Sequence, residues 1–85
     1  MDLLTLLGHL ENTTFTRETV STKNSKDITS YKNTTGANIT INNTTYTKPY
    51  RLCLKVKNNT TYLYVNHTTR SNLTKIAITS IETIT

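Results

Sequence analysis

Nine of the ten asparagines in this 85-residue sequence stand two places ahead of a threonine. They are Asn12, Asn33, Asn38, Asn42, Asn43, Asn58, Asn59, Asn66 and Asn72, and the threonines are Thr14, Thr35, Thr40, Thr44, Thr45, Thr60, Thr61, Thr68 and Thr74. Only Asn24 departs from the pattern, because Lys26 takes its third position. Asn-x-Thr with no proline between is the acceptor for N-linked glycosylation, where the hydroxyl assists recognition of a poorly nucleophilic amide. Serine and threonine together number 26, so ten asparagines would meet the pattern only about three times from composition alone. The excess points to a glycoprotein with N-linked glycans on its outer loops. A conformational explanation competes with it: Asn and Thr both bond their own backbone and gather in turns without any sugar.

The rest of the side-chain chemistry is sparse. The five acids, Asp2, Glu11, Glu18, Asp27 and Glu82, fall in no recognisable motif, and His9 and His67 are isolated. Cys53 is the only cysteine, which excludes an internal disulfide framework and a cysteine-based zinc site. Two glycines leave little room for a phosphate-cradling loop. The expectation is a protein with no catalytic residues, no metal and no cofactor. No apolar run approaches the roughly 18 residues that cross a bilayer, so no membrane span is expected. Residues 1–10 carry Asp2 where a secretory leader has a base, their apolar stretch is broken by Thr5, Gly8 and His9, and no small-residue cleavage site follows. Met1 therefore reads as a retained start, with no cleavable signal peptide visible.

Ten bases against five acids give a net charge of +5. Arg17, Lys23, Lys26, Lys32, Lys48, Arg51, Lys55, Lys57, Arg70 and Lys75 are dispersed, and only Arg51, Lys55 and Lys57 fall close together. A solvated face and an anion-binding stripe both fit that distribution.

The elements that must position these groups are legible in part. A chain of this length supports one domain and one core: a helix over 1–11, then a β-rich portion over 13–85. Leu3, Leu6, Leu7 and Leu10, joined by Leu4, follow helical spacing, and Asp2 stands where an acid caps a helix N-terminus. Such a short helix must dock, either on its own sheet or as an assembly or membrane-surface contact. From Thr13 onward Thr, Val, Ile and Tyr favour strands, expected over 14–22, 27–32, 38–47, 50–57, 61–66 and 74–85. Breaks are expected at 23–26, 33–37, 48–49 and 67–73, and Pro49 suits a strand start or an edge.

The hairpin of 50–66 is the best determined. Tyr50, Leu52, Leu54 and Val56 alternate with Arg51, Cys53, Lys55 and Lys57, and Leu63 and Val65 alternate with Tyr62 and Tyr64. A two-residue Asn58-Asn59 loop sets Val56 opposite Thr61, Leu54 opposite Leu63 and Leu52 opposite Val65, which keeps the apolar residues on one face; a four-residue loop keeps the same parity, and a three-residue loop would mix the faces. Asn42 and Asn43 fall mid-strand in this reading. The last strand shifts phase from Ile76 and Ile78 to Ile81 and Ile84, which a bulge near Ser80 would explain. The fold class is thus mainly β: a small antiparallel sandwich or half-barrel of about six strands with a short N-terminal helix.

Two further functional readings attach to the hairpin. Arg51, Lys55, Lys57, Tyr62 and Tyr64 share a face, an arrangement used by single-stranded nucleic-acid binders, and equally one in which Tyr packs on Lys stems. The stretch 50–65 also resembles, in its apolar alternation, a hairpin of laminin-G and concanavalin-type domains, which implies a carbohydrate-binding adhesin module; no ligand motif accompanies it.

Dense acceptors, abundant Thr and Ile, a retained Met1 and a single Cys together resemble the structural capsid, turret and spike glycoproteins of viruses of thermophilic archaea. That resemblance implies an exposed virion or cell-surface subunit whose partners are copies of itself, other structural proteins of the assembly and its own N-linked glycans. Leu3, Leu6, Leu7, Leu10, Ile81 and Ile84 are its expected assembly contacts.

Overall fold

The computed structural model describes residues 1–18, 27–67 and 73–85. The expected strand residues 19–22, the breaks at 23–26 and 68–72, and the acceptor Asn72 lie outside the described residues. The chain opens with helix α1 (Leu3–Glu11), followed by strands β1 (Thr16–Glu18), β2 (Asp27–Lys32), β3 (Ile39–Ile41), β4 (Thr44–Tyr46), β5 (Arg51–Lys57), β6 (Thr60–Asn66) and β7 (Leu73–Ala77). A 3-10 turn, Ile78–Ser80, precedes an extended tail.

Helix α1 begins where its capping chemistry places it. Asp2 is extended, and its Oδ1 accepts from the Thr5 backbone N–H at 2.8 Å. That bond holds the Asp2 carboxyl below its usual range, because the ionised form is the better acceptor. Leu6 and Leu10 are fully buried one turn apart, while Leu4 is 82% exposed on the opposite side.

The described strands form two antiparallel sheets. Five run in the order β1-β2-β5-β6-β7, and β3 pairs with β4. Register in the central hairpin matches the parity argument: Leu52 faces Val65, Leu54 faces Leu63 and Val56 faces Thr61. Continuing across the sheet, Tyr31 joins the row of Leu52 and Val65, and Thr29 joins that of Leu54 and Leu63. This inner face carries Tyr31, Leu52, Leu54, Leu63 and Val65, all nearly or fully buried.

Helix α1, the β3–β4 hairpin and the tail form the second layer. They contribute Leu6, Leu10, Ile39, Ile41, Ile81 and Ile84 to the same core, joined by Phe15 just before β1 and Ile78 of the 3-10 turn. The tail is held as an extra strand beside β3. Thr40 and Thr85 exchange backbone hydrogen bonds of 3.1 and 2.9 Å, Asn42 N–H donates to the Thr83 carbonyl at 3.0 Å, and Ile41 bridges Ile84. The Met1 α-ammonium donates to the carbonyls of Ile78 (3.1 Å) and Ile81 (2.8 Å), pinning the start of the helix to the 3-10 turn.

Two expectations are corrected. Residues 38–47 are two strands and a turn, because Asn42 and Asn43 both take positive φ. Residues 74–85 are likewise not one strand. The phase shift from Ile76 to Ile81 comes from a full 3-10 turn that carries the chain from the first layer to the second, in place of a single-residue bulge.

Candidate functional site: acceptor asparagines and the outward sheet face

The two Asn-Asn-Thr-Thr doublets do the same structural work. Asn42 and Asn43 (φ 50° and 65°) join Ile41 to Thr44, and Asn58 and Asn59 (φ 52° and 65°) join Lys57 to Thr60. Two consecutive residues at positive φ make a type I′ turn, whose twist suits a hairpin and which Asn tolerates better than other non-glycine residues. The conformational explanation therefore accounts for four of the nine acceptors independently of any sugar.

The acceptor amides then divide by what they already hold. Asn33 uses both amide protons, donating from Nδ2 to the carbonyls of Ala37 (2.8 Å) and Pro49 (2.9 Å), while its Oδ1 accepts from Ala37 N–H (3.2 Å). A sugar on that nitrogen would displace one of these bonds. Asn42 donates from Nδ2 to Ser80 O (2.8 Å) and accepts at Oδ1 from the N–H groups of Glu82 (2.7 Å) and Thr83 (3.2 Å), so it clamps the tail. Asn38 accepts from Lys48 N–H through Oδ1 (3.0 Å), and its nitrogen is unbonded among the described residues. Asn12, Asn43, Asn58 and Asn59 are exposed, with side-chain nitrogens unbonded among the described residues. Asn66 is half-buried, and its Oδ1 is buried with no partner.

The expected assembly contacts are placed differently from the expectation. Leu6, Leu10, Ile81 and Ile84 are buried in the chain's own core, and Leu3 and Leu7 pack partly against it. The apolar surface of Leu6, Leu10, Ile81 and Ile84 is consumed internally. Among the described residues the large apolar side chains left outside are Leu4, Tyr50 and Leu73.

The outward face of the five-stranded sheet gathers the basic and aromatic residues. Alternation puts Arg51, Cys53, Lys55 and Lys57 there from β5. Register adds Lys32 opposite Arg51, Tyr62 opposite Lys55, Tyr64 opposite Cys53, and Lys75 opposite Tyr64. Lys75 Nζ lies 4.5 Å from the centre of the Tyr62 ring and Lys55 Nζ lies 5.5 Å from that of Tyr64; the two rings meet edge to face at 6.3 Å. Arg51 pairs with Glu18 at 3.3 Å and stacks its guanidinium 5.3 Å from the Tyr50 ring.

A shallow depression of about 220 Å³ opens on this face among Ser30, Arg51, Cys53, Lys55, Tyr64 and Asn66. Arg51 and Asn66 line it, and Arg51 Nε and Asn66 Oδ1 are buried with no hydrogen-bond partner among the described residues. An unpaired buried donor or acceptor costs about 1–3 kcal/mol, so this pair marks a place where the protein's own hydrogen bonding is incomplete. Cys53 Sγ rests 3.6 Å from Ser30 Oγ.

Sequence reasoning identified Arg51, Lys55, Lys57, Tyr62 and Tyr64 as one face but missed Lys32, Lys75 and the Arg51–Asn66 pair. Lys32 and Lys75 depend on the register of β2 and β7, which no turn signal in the sequence fixes, whereas Arg51 and Asn66 are partners in the β5–β6 register and the expected pairing was followed only as far as Leu52 and Val65. Among the described residues no cluster of three or more His, Cys, Asp or Glu forms a metal-binding group, and no helix is long and apolar enough to cross a membrane.

The class defined by this architecture is a two-layer antiparallel β domain with an N-terminal helix. No protein-family model matches the chain, and neither a curated protein nor a solved structure is significantly similar to it.

Proposed function

We propose that this protein is a non-enzymatic structural glycoprotein unit displayed on a virion or cell-surface assembly, with N-linked glycans on its outer turns. The observation that carries the reading is the set of five exposed acceptors, Asn12, Asn38, Asn43, Asn58 and Asn59, with side-chain nitrogens unbonded among the described residues. They sit at the end of α1, at both ends of β3 and at the tip of the β5–β6 hairpin, so sugars at these points leave the core and both sheets undisturbed. The glycans hydrate the surface and hold proteases away from the turns. Threonines on outward strand positions keep the sheets wetted without adding charge.

The test is occupancy mapping on protein secreted by a glycosylating cell. Enzymatic release of N-glycans converts each occupied Asn to Asp, which peptide mass spectrometry reads. The expected result is conversion at Asn12, at Asn38 and in each Asn-Asn turn, with Asn33 unconverted. Uniformly unconverted asparagines contradict the reading.

The second reading, a basic single-stranded nucleic-acid binder, is favoured by the basic and aromatic outward face. Against it, both central tyrosine rings already have an ammonium near one face, and stacking of bases needs an open ring.

A further inference from the structure

We infer that the outward face of the five-stranded sheet binds a sulfated polysaccharide through Arg51, Lys57, Lys75 and the Asn66 amide. The inference rests on the glycoprotein reading only for where such a partner is met, outside the cell. Charge complementarity is the first argument. Five of the chain's ten bases, Lys32, Arg51, Lys55, Lys57 and Lys75, share this face. Opposing them are Glu18, already engaged with Arg51, and Asp27 at the register position opposite Lys55. Neighbouring strands lie about 4.8 Å apart, and same-face residues along a strand about 7 Å apart. The cations thus form a fixed grid suited to a chain of regularly spaced anions.

The second argument is what the face offers besides charge. Ammonium groups over Tyr62 and Tyr64 occupy the positions a stacked base would take, which leaves the face able to hold anions but poorly suited to hold bases. The depression is lined by Arg51 and Asn66, whose Nε and Oδ1 are buried and have no hydrogen-bond partner among the described residues. One sulfated sugar residue supplies both complements: a sulfate oxygen accepts from Nε and a ring hydroxyl donates to Oδ1. Both atoms are buried, so a ligand reaches them only if these side chains rotate.

The test uses the full chain made without glycans, a fluorescent heparin oligosaccharide as probe, and an oligothymidylate of matched charge, compared by anisotropy at physiological salt. Heparin is expected to bind at least tenfold more tightly than the oligothymidylate. Lys57→Gln/Lys75→Gln is expected to weaken heparin by about tenfold or more, because it removes two of the cations that face the anionic chain. Lys48→Gln, which removes one charge from the loop before β5, is expected to change affinity less than about threefold. Asn66→Ala is expected to weaken heparin while leaving oligothymidylate unchanged. Absent heparin binding, a smaller preference for heparin, or similar losses in the Lys57/Lys75 and Lys48 variants each overturns the proposal. Sugar-free protein keeps this outcome separate from the glycan reading, which occupancy mapping decides by itself.

Discussion

At the scale of single residues, two polar side chains hold the layers together and give measurable consequences. Asn42 closes a turn and anchors the tail through three hydrogen bonds of 2.7–3.2 Å. Asn42→Ala removes them and places a Cβ-bearing residue without local compensation at φ 50°. A loss of about 2 kcal/mol is expected, or a fall in Tm of very roughly 10 °C for a domain of this size. Thermal unfolding followed by circular dichroism checks it, and an unchanged midpoint would refute the clamp. Tyr31 donates its hydroxyl to Glu11 Oε1 at 3.0 Å, and Arg17 reaches the same carboxylate at 3.0 Å, tying α1 to the sheet. Burial, and then that bond to Glu11, raise the Tyr31 phenol from its usual 10.0 to about 12. A raised acid favours the neutral form in the folded state, so its contribution is fully present below pH 10 and is lost as pH climbs toward 12. Tyr31→Phe should flatten the alkaline part of the stability curve relative to the parent chain, measured by urea unfolding at successive pH values.

At the scale of elements, the turns govern what could be read in advance. The β5–β6 hairpin was legible because its apolar alternation is unbroken on both arms, and only an even loop keeps Leu52, Leu54, Leu63 and Val65 on one face. The same doublet at Asn42-Asn43 went unread as a turn: β3 and β4 are three residues each, too short to show alternation, and no glycine marks the reversal. Both turns need positive φ, which glycine adopts at no steric cost. Asn59→Gly keeps the Asn58 acceptor and should stabilise the hairpin by up to about 1 kcal/mol. A chemical-denaturation midpoint that falls would contradict the turn assignment. The final strand misled for a related reason. Ile78, Ile81 and Ile84 are all core residues, but a 3-10 turn changes the layer they fill, and period-two spacing carries no sign of a change of layer. The helix was legible in its cap and in its buried Leu6 and Leu10. What those leucines would face was left open in the sequence, and the answer is the chain's own core.

At the scale of the whole molecule, the mainly β class and the N-terminal helix were legible, and the grouping of charge was not. Five bases scattered along three strands meet on one sheet face only through register, which joins Lys32 and Lys75 to the Arg51, Lys55 and Lys57 cluster. The acceptors cluster in another manner. Those with unbonded side-chain nitrogens mark the turns and element ends, whereas Asn33 and Asn42 act as internal clamps. The account thus divides one repeated sequence pattern into sugar-bearing and structural members, and its central claim is that the first group is occupied. Intact mass of natively sourced protein tests that claim most directly. The account predicts a mass above the 9.6 kDa chain by several whole glycan increments, removed by N-glycan release. A mass equal to that of the bare polypeptide would contradict it.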